Sequence, residues 1–107
     1  MPGKNDEYYL EKMRKDIDFI LEHIRNLDCR QLAEDEVLLD SMQFRLIQIA
    51  ESANRLTAEY KARHEEVDWQ GISGLRNWIV HDYGNVNYEI VYHTLANDIR
   101  TLKEQIT

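Results

Sequence analysis

In the stretch Gly74-Leu75-Arg76-Asn77-Trp78-Ile79-Val80-His81-Asp82-Tyr83-Gly84, an arginine, an asparagine, a histidine and a tyrosine fall within eight positions. Arginine presents a fixed fork of donors and cannot lose its charge, so Arg76 suits a phosphate that gains negative charge as it reacts. Histidine gives or takes a proton near neutral pH. If a helix closes at Gly84, His81 sits in its last turn, where the negative helix end favours imidazolium and so the acid role. Asn77 precedes His81 by four residues and shares its helix face, so the two can line one pocket. Arg76 precedes it by five, about 140° round an ideal helix, and one helix does not easily converge both groups. An arginine reaching round the helix, or a second copy of the motif across a two-fold axis, resolves this. A structural reading of the same residues stands beside the chemical one: Arg76 pairs only with Glu51 or Asp82, and His81 caps carbonyls at the helix end.

Other chemistries find little support. Three residues before His23, His64, His81 and His93 stand Ile20, Lys61, Trp78 and Ile90, so no Glu-x-x-His pair exists. No two histidines lie four apart, no cysteine cluster accompanies them, and no glycine-rich phosphate loop or serine elbow is present. Neither a metal nor a cofactor is expected. Cys29 is the single cysteine, which excludes an internal disulfide and fits a small buried or half-buried side chain in a reducing, cytoplasmic setting. Apolar runs are too short to span a bilayer, and no secretory leader is expected at the start.

The formal net charge is −7, and it is uneven. Residues 1–40 hold 11 Asp and Glu against 6 Lys and Arg, whereas residues 41–83 hold 6 against 5. Such a chain binds nucleic acid poorly in general, because phosphate contacts supply most non-specific affinity. Any work on a polyanion belongs in a local pocket built from the middle of the chain.

The elements that would position these groups are helices. At 107 residues the chain reads as one domain, residues 1–107, and glycine and proline punctuate it sparingly. Leu10, Met13, Ile17, Ile20, Leu21, Ile24 and Leu27 recur at helical steps and predict a first helix over about 6–28. Leu38, Met42, Leu46, Ile49, Ala53, Leu56 and Tyr60 predict a second over about 34–60, with acids at its start. A polar link, Lys61 to Val67, follows. The third helix is expected to open at Asp68 as N-cap and close at Gly84. Asn87 is expected to cap the fourth, with Val86 and Val91 as a hydrophobic staple and Tyr88, Val91, Leu95, Ile99, Leu102 and Ile106 on its apolar face. No strand periodicity appears. The predicted fold is all-α, an antiparallel four-helix bundle whose two long helices form a hairpin, with a short polar link before the third helix. Trp69 and Trp78 read as core or interface residues.

An Arg-x4-His pair arises by chance in roughly a third of such chains; requiring a tyrosine two residues on lowers this to about 2%. Arg76-x4-His81-x-Tyr83 resembles the signature of the HepT-like branch of the HEPN superfamily. The resemblance extends to Phe44–Ala53, to Val67–Asn77 and to Val86–Tyr92, and runs from about Ala33 to Ile106. Ala50 and Asn87 depart from the family's commoner glycine and aspartate. The resemblance implies a HEPN-like bundle acting as a toxin-type, metal-independent endoribonuclease of a toxin–antitoxin pair. It implies a homodimer whose paired motifs line the RNA cleft, Arg76 and His81 being catalytic and Asn77 and Glu51 supporting. It also implies a minimal nucleotidyltransferase antitoxin that places AMP on Tyr83, where a bulky anion would block an incoming phosphate. Two other readings stay open: a non-catalytic HEPN module that docks on a nucleotidyltransferase, and a purely structural dimerisation bundle. Tyr83 likewise reads alternatively as an aromatic packed at a helix end.

Overall fold

The computed structural model describes residues 4–81 and 87–106, with the backbone alone for Val80 and His81. Six helix starts carry a short polar side chain that takes up an orphan backbone N–H, an arrangement worth about 1 kcal/mol each. Asn5 accepts from the Tyr8 N–H and opens α1 (Asp6–Ile24). Asp28 and Gln31 form a reciprocal capping box at α2 (Cys29–Glu34). Asp35 opens α3 (Glu36–Asn54) and Thr57 opens α4 (Ala58–Ala62). Asp68 accepts from the Gly71 N–H at 2.9 Å and opens α5 (Trp69–His81), as expected. Asn87 accepts from Glu89 and Ile90 and opens α6 (Tyr88–His93), also as expected. A π turn, Thr94–Asp98, leads on into α7 (Ile99–Ile106).

Two expected boundaries move. The first helix stops at Ile24 rather than near 28, because Arg25 turns to ψ 132° and Asn26 takes a φ of 68°. Asparagine tolerates that left-handed backbone better than other residues with a Cβ. The expected second helix is divided, with Arg55 and Leu56 turning between α3 and the Thr57 cap of α4. The polar link therefore begins within α4 rather than after it. Leu56 and Tyr60 are nevertheless buried, as their place on the stripe requires. The closing Gly84 and the staple residue Val86 lie outside the described residues.

Four rods make the bundle: α1, α3, α5 and the α6–α7 run. Bonds from α1 to α3 and the cap that follows it show the two helices to be antiparallel: Asp6 meets Thr57, Lys12 meets Gln48 and Asp16 meets Arg45, one number rising as the other falls. The final run is antiparallel to α1 by the same test, with Arg14 to the Ile106 carbonyl, Lys103 to Asp18, and Tyr92 Oη to the Leu27 carbonyl at 2.6 Å. Met13, Ile17 and Ile20 interlock with Met42, Leu46, Ile49 and Leu95 in the fully buried centre. α5 packs on α3.

Trp69 and Trp78 are partly buried against this core, and Trp69 donates its ring N–H to the His64 carbonyl. Cys29 is a half-buried free thiol. One tyrosine reading is corrected. Tyr88, placed on the packing face, is 42% exposed because it stands in the first turn of α6, beside the cap. Tyr8 and Tyr9 lie in the capped first turns of α1. Among the described residues, no helix is long and apolar enough to cross a membrane.

Candidate active site

The packing of α5 on α3 brings Arg76 to Glu51, with Nε 3.1 Å from Oε1. Of the two partners considered for Arg76, Glu51 is thus present, while Asp82 lies outside the described residues. The contact is open to water: the side chains are 56% and 45% exposed. An exposed pair of this kind contributes only about 0–1 kcal/mol, so an anion can displace the carboxylate at little cost. Among the described residues, the two terminal guanidinium nitrogens have no partner, which leaves a bidentate fork toward solvent.

Asn77 follows Arg76 and is exposed on α5. His81 is the last described residue of α5, four positions beyond Asn77, and its side chain lies outside the described residues, as does all of Tyr83. The structure therefore joins Arg76 to Glu51 and sets Asn77 and the His81 backbone farther along the same helix.

α5 differs from the other three rods in its cover. α1, α3 and the α6–α7 run each contribute fully buried side chains, whereas among the described side chains of α5 none is fully buried. Ile72, Leu75, Trp78 and Ile79 pack against the core and remain partly open. The described apolar side chains of the motif-bearing helix are thus partly rather than fully buried.

Glu51 depends on residues that the spacing argument passed over. Asp16 is 3% exposed, accepts from Arg45 Nη1 at 2.8 Å, and pairs with Lys12 Nζ at 3.4 Å. Lys12 also donates to Gln48 Oε1 at 2.8 Å. Gln48 precedes Glu51 by about one helical turn, so this network fixes how α3 is rotated against α1 and where Glu51 points. The signal in the sequence was an acid set on the apolar stripe of α1, between Met13 and Ile17. Among the described residues, no three His, Cys, Asp or Glu side chains converge as a metal would need.

Fold and motif together define a HEPN-type helical bundle carrying an arginine and a histidine on one partly buried helix. The chain belongs to the ribonuclease HepT-like family, whose model matches residues 13–107. A protein of Caldanaerobacter subterraneus subsp. tengcongensis, named as a candidate RNase, is 29% identical over 103 residues, 96% of this chain and 92% of its own. One of Methanocaldococcus jannaschii, also named as a candidate RNase, is 24% identical over 99% of this chain and 91% of its own. A third, of Thermococcus cleftensis, carries the name probable ribonuclease HepT and is 27% identical over 89% and 86%. No solved structure matches the chain.

Proposed function

We propose that this protein is a toxin-type endoribonuclease that cleaves RNA without a metal, works as a homodimer, and is silenced by AMP transfer to Tyr83 from a nucleotidyltransferase antitoxin. One observation carries the chemistry: Arg76 stands exposed with a weakly held carboxylate partner, on the same helix as His81. A ribose 2′-hydroxyl attacks the adjacent phosphorus, its proton passing to water, and the bond from phosphorus to the 5′ oxygen breaks. Arg76 leaves Glu51 for the phosphate and neutralises the charge that grows there. His81 protonates the departing 5′ oxygen, and Asn77 on the same face orients the phosphate. The products are a 2′,3′-cyclic phosphate and a 5′-hydroxyl. These groups supply both the positive charge and the proton, which is why no ion is needed.

The partly exposed apolar side chains of α5 support the dimer. Two copies joined there would hide Ile72, Leu75 and Trp78 and place one protomer's His81 near the other's Arg76, resolving the 140° problem. The testing experiment is cleavage of single-stranded RNA by wild type, Arg76→Ala and His81→Ala. Both variants should keep their helical content and lose about 10²-fold or more of the rate. Wild-type protein that never cleaves, yet still binds a nucleotidyltransferase, would leave the docking-module reading in its place.

A further inference from the structure

A small recess opens beside the Arg76–Glu51 pair, between the start of α1 and the end of α3. Its volume is about 140 Å³, and its wall includes Lys4, Tyr8, Tyr9, Lys12, Glu51 and Arg55. Glu51 belongs to both places, meeting Arg76 and lining the recess. Arg55 follows Glu51 by one turn of α3, about 6 Å along the axis.

The charge here runs against that of the whole chain. With a formal net charge of −7 overall, three cations in this wall face one carboxylate, and Arg76 adds a fourth cation just beyond it. Lys12 is engaged by Asp16 and Gln48 and contributes its field rather than a free donor. Arg55 is exposed and, among the described residues, its side chain has no hydrogen-bond or ion-pair partner. Aromatic surface lies alongside: Tyr8 is 44% exposed, stands edge-on to Tyr9 with centroids 5.0 Å apart, and carries the Lys4 ammonium 5.3 Å from its ring centre. Exposed cations interleaved with an aromatic face are what single-stranded nucleic acid uses, the phosphate meeting the charge and the base stacking on the ring.

Two other recesses lack this combination. One between α5 and α7 presents Glu66, Asp68 and Asp98 and no cation, and so repels phosphate. A groove between α1 and the α6–α7 run sets Arg25, Arg100 and Lys103 against Asp18 and Glu22, with Lys103 bonded to Asp18 at 2.6 Å, and its one aromatic, Tyr92, is half-buried with its hydroxyl bonded to the Leu27 carbonyl.

We propose that the recess at Tyr8 and Arg55 is a substrate subsite, holding the nucleotide that flanks the scissile phosphate of a single-stranded RNA. The proposal rests on the ribonuclease reading and adds where the strand lies. Arg55 and Lys4 take the flanking phosphate and Tyr8 stacks on the base. The recess is smaller than the roughly 300 Å³ of a pocket that encloses a whole ligand, so it takes one base or one phosphate. Stacking is tolerant of sequence, and the subsite therefore imposes little base preference.

The probe is a fluorescein-labelled single-stranded oligouridylate, 2′-O-methylated so that it cannot be cut, titrated by anisotropy at several salt concentrations. Tyr8→Ala should weaken binding by about 5- to 100-fold and Tyr8→Phe should restore it. Arg55→Ala should also weaken binding and flatten the slope of log K against log salt by about 0.7, whereas Arg55→Lys should keep that slope. Arg100→Ala, in the far groove, should change neither. Wild-type affinity in both alanine variants, or no binding by wild type, overturns the subsite. Cleavage of the unmodified oligouridylate, read in parallel, separates the two claims. Lost binding in the variants with no wild-type cleavage keeps the subsite and removes the enzyme, whereas cleavage with unchanged binding removes the subsite alone.

Discussion

Arg76 and Glu51 show how little an ion pair reveals by its presence. At half exposure it adds almost nothing to stability, and under the proposed mechanism its value lies in holding a guanidinium ready for exchange with a phosphate. Tyr83, which lies outside the described residues, is the proposed point of control, two positions beyond His81 on the chain. Replacing it with phenylalanine keeps the ring and deletes the nucleophile. Tyr83→Phe should therefore fold normally yet escape silencing by a co-expressed nucleotidyltransferase, with no added AMP mass in the intact protein. Added mass on another residue, or full silencing of the variant, would return Tyr83 to a packing role. Asp6 offers a test of pH dependence at the end of α1 that borders the recess. The Thr57 hydroxyl, and then the Thr57 N–H, donate to its carboxylate and hold its pKa below the ordinary value. A depressed carboxylate contributes its stability above the unfolded-state pKa and loses it as pH falls. The stability gap between wild type and Asp6→Ala should thus be full at neutral pH and close below about pH 4, read from denaturant midpoints. A gap that widens on acidification would contradict the assignment.

Among the elements, α5 carries the motif and two glycines that differ in the room they leave for a side chain. A Cβ on Gly71 would collide with the Asp68 carboxylate that caps the helix, whereas one on Gly74 would meet nothing within 4 Å. Alanine is worth about 1 kcal/mol over glycine inside a helix. Gly74→Ala should therefore raise the melting temperature by on the order of 4 °C, and Gly71→Ala should gain little because the cap is disturbed. A loss on Gly74→Ala would mean that this face is covered in solution. Much of this scale was legible in the sequence. The stripe residues from Leu10 to Ile106 mostly mark the core, and Asp68 and Asn87 cap as read. The breaks after Ile24 and Asn54 were missed because burial continues across them, with Leu32, Leu56 and Tyr60 still feeding the core. Periodicity reports which side faces inward and is blind to a turn that keeps that side inward. The local signals were there: Asp28 with Gln31, and Thr57 three before Tyr60. In the site, Arg76 and Glu51 were readable as partners. The Asp16–Arg45–Lys12 network and the Tyr8–Arg55 recess were not, since both join α1 to α3 across many residues of sequence.

For the whole molecule, α5 stands apart as the rod with no fully buried side chain among the described residues, and the proposed dimer would cover it. Light scattering at micromolar concentration should report about twice the chain mass, and a strict monomer would remove the shared cleft. Tyr92 spends its hydroxyl within the chain on the Leu27 carbonyl and packs against the core, while Tyr88 and Ile90 on the same helix stand exposed. The acidic surface adds a further consequence: binding of RNA should be weak away from the basic recess and steeply reduced by salt. The central claim is cleavage by 2′-hydroxyl attack without a metal, and its most direct measurement is the end group left on RNA cut in EDTA. Wild-type protein should cut under chelation and leave 2′,3′-cyclic phosphates with 5′-hydroxyls, while His81→Ala leaves the RNA intact. Cleavage that stops with EDTA and returns with a divalent ion, fragments ending in 3′-hydroxyls and 5′-phosphates, or equal cutting by His81→Ala would contradict it.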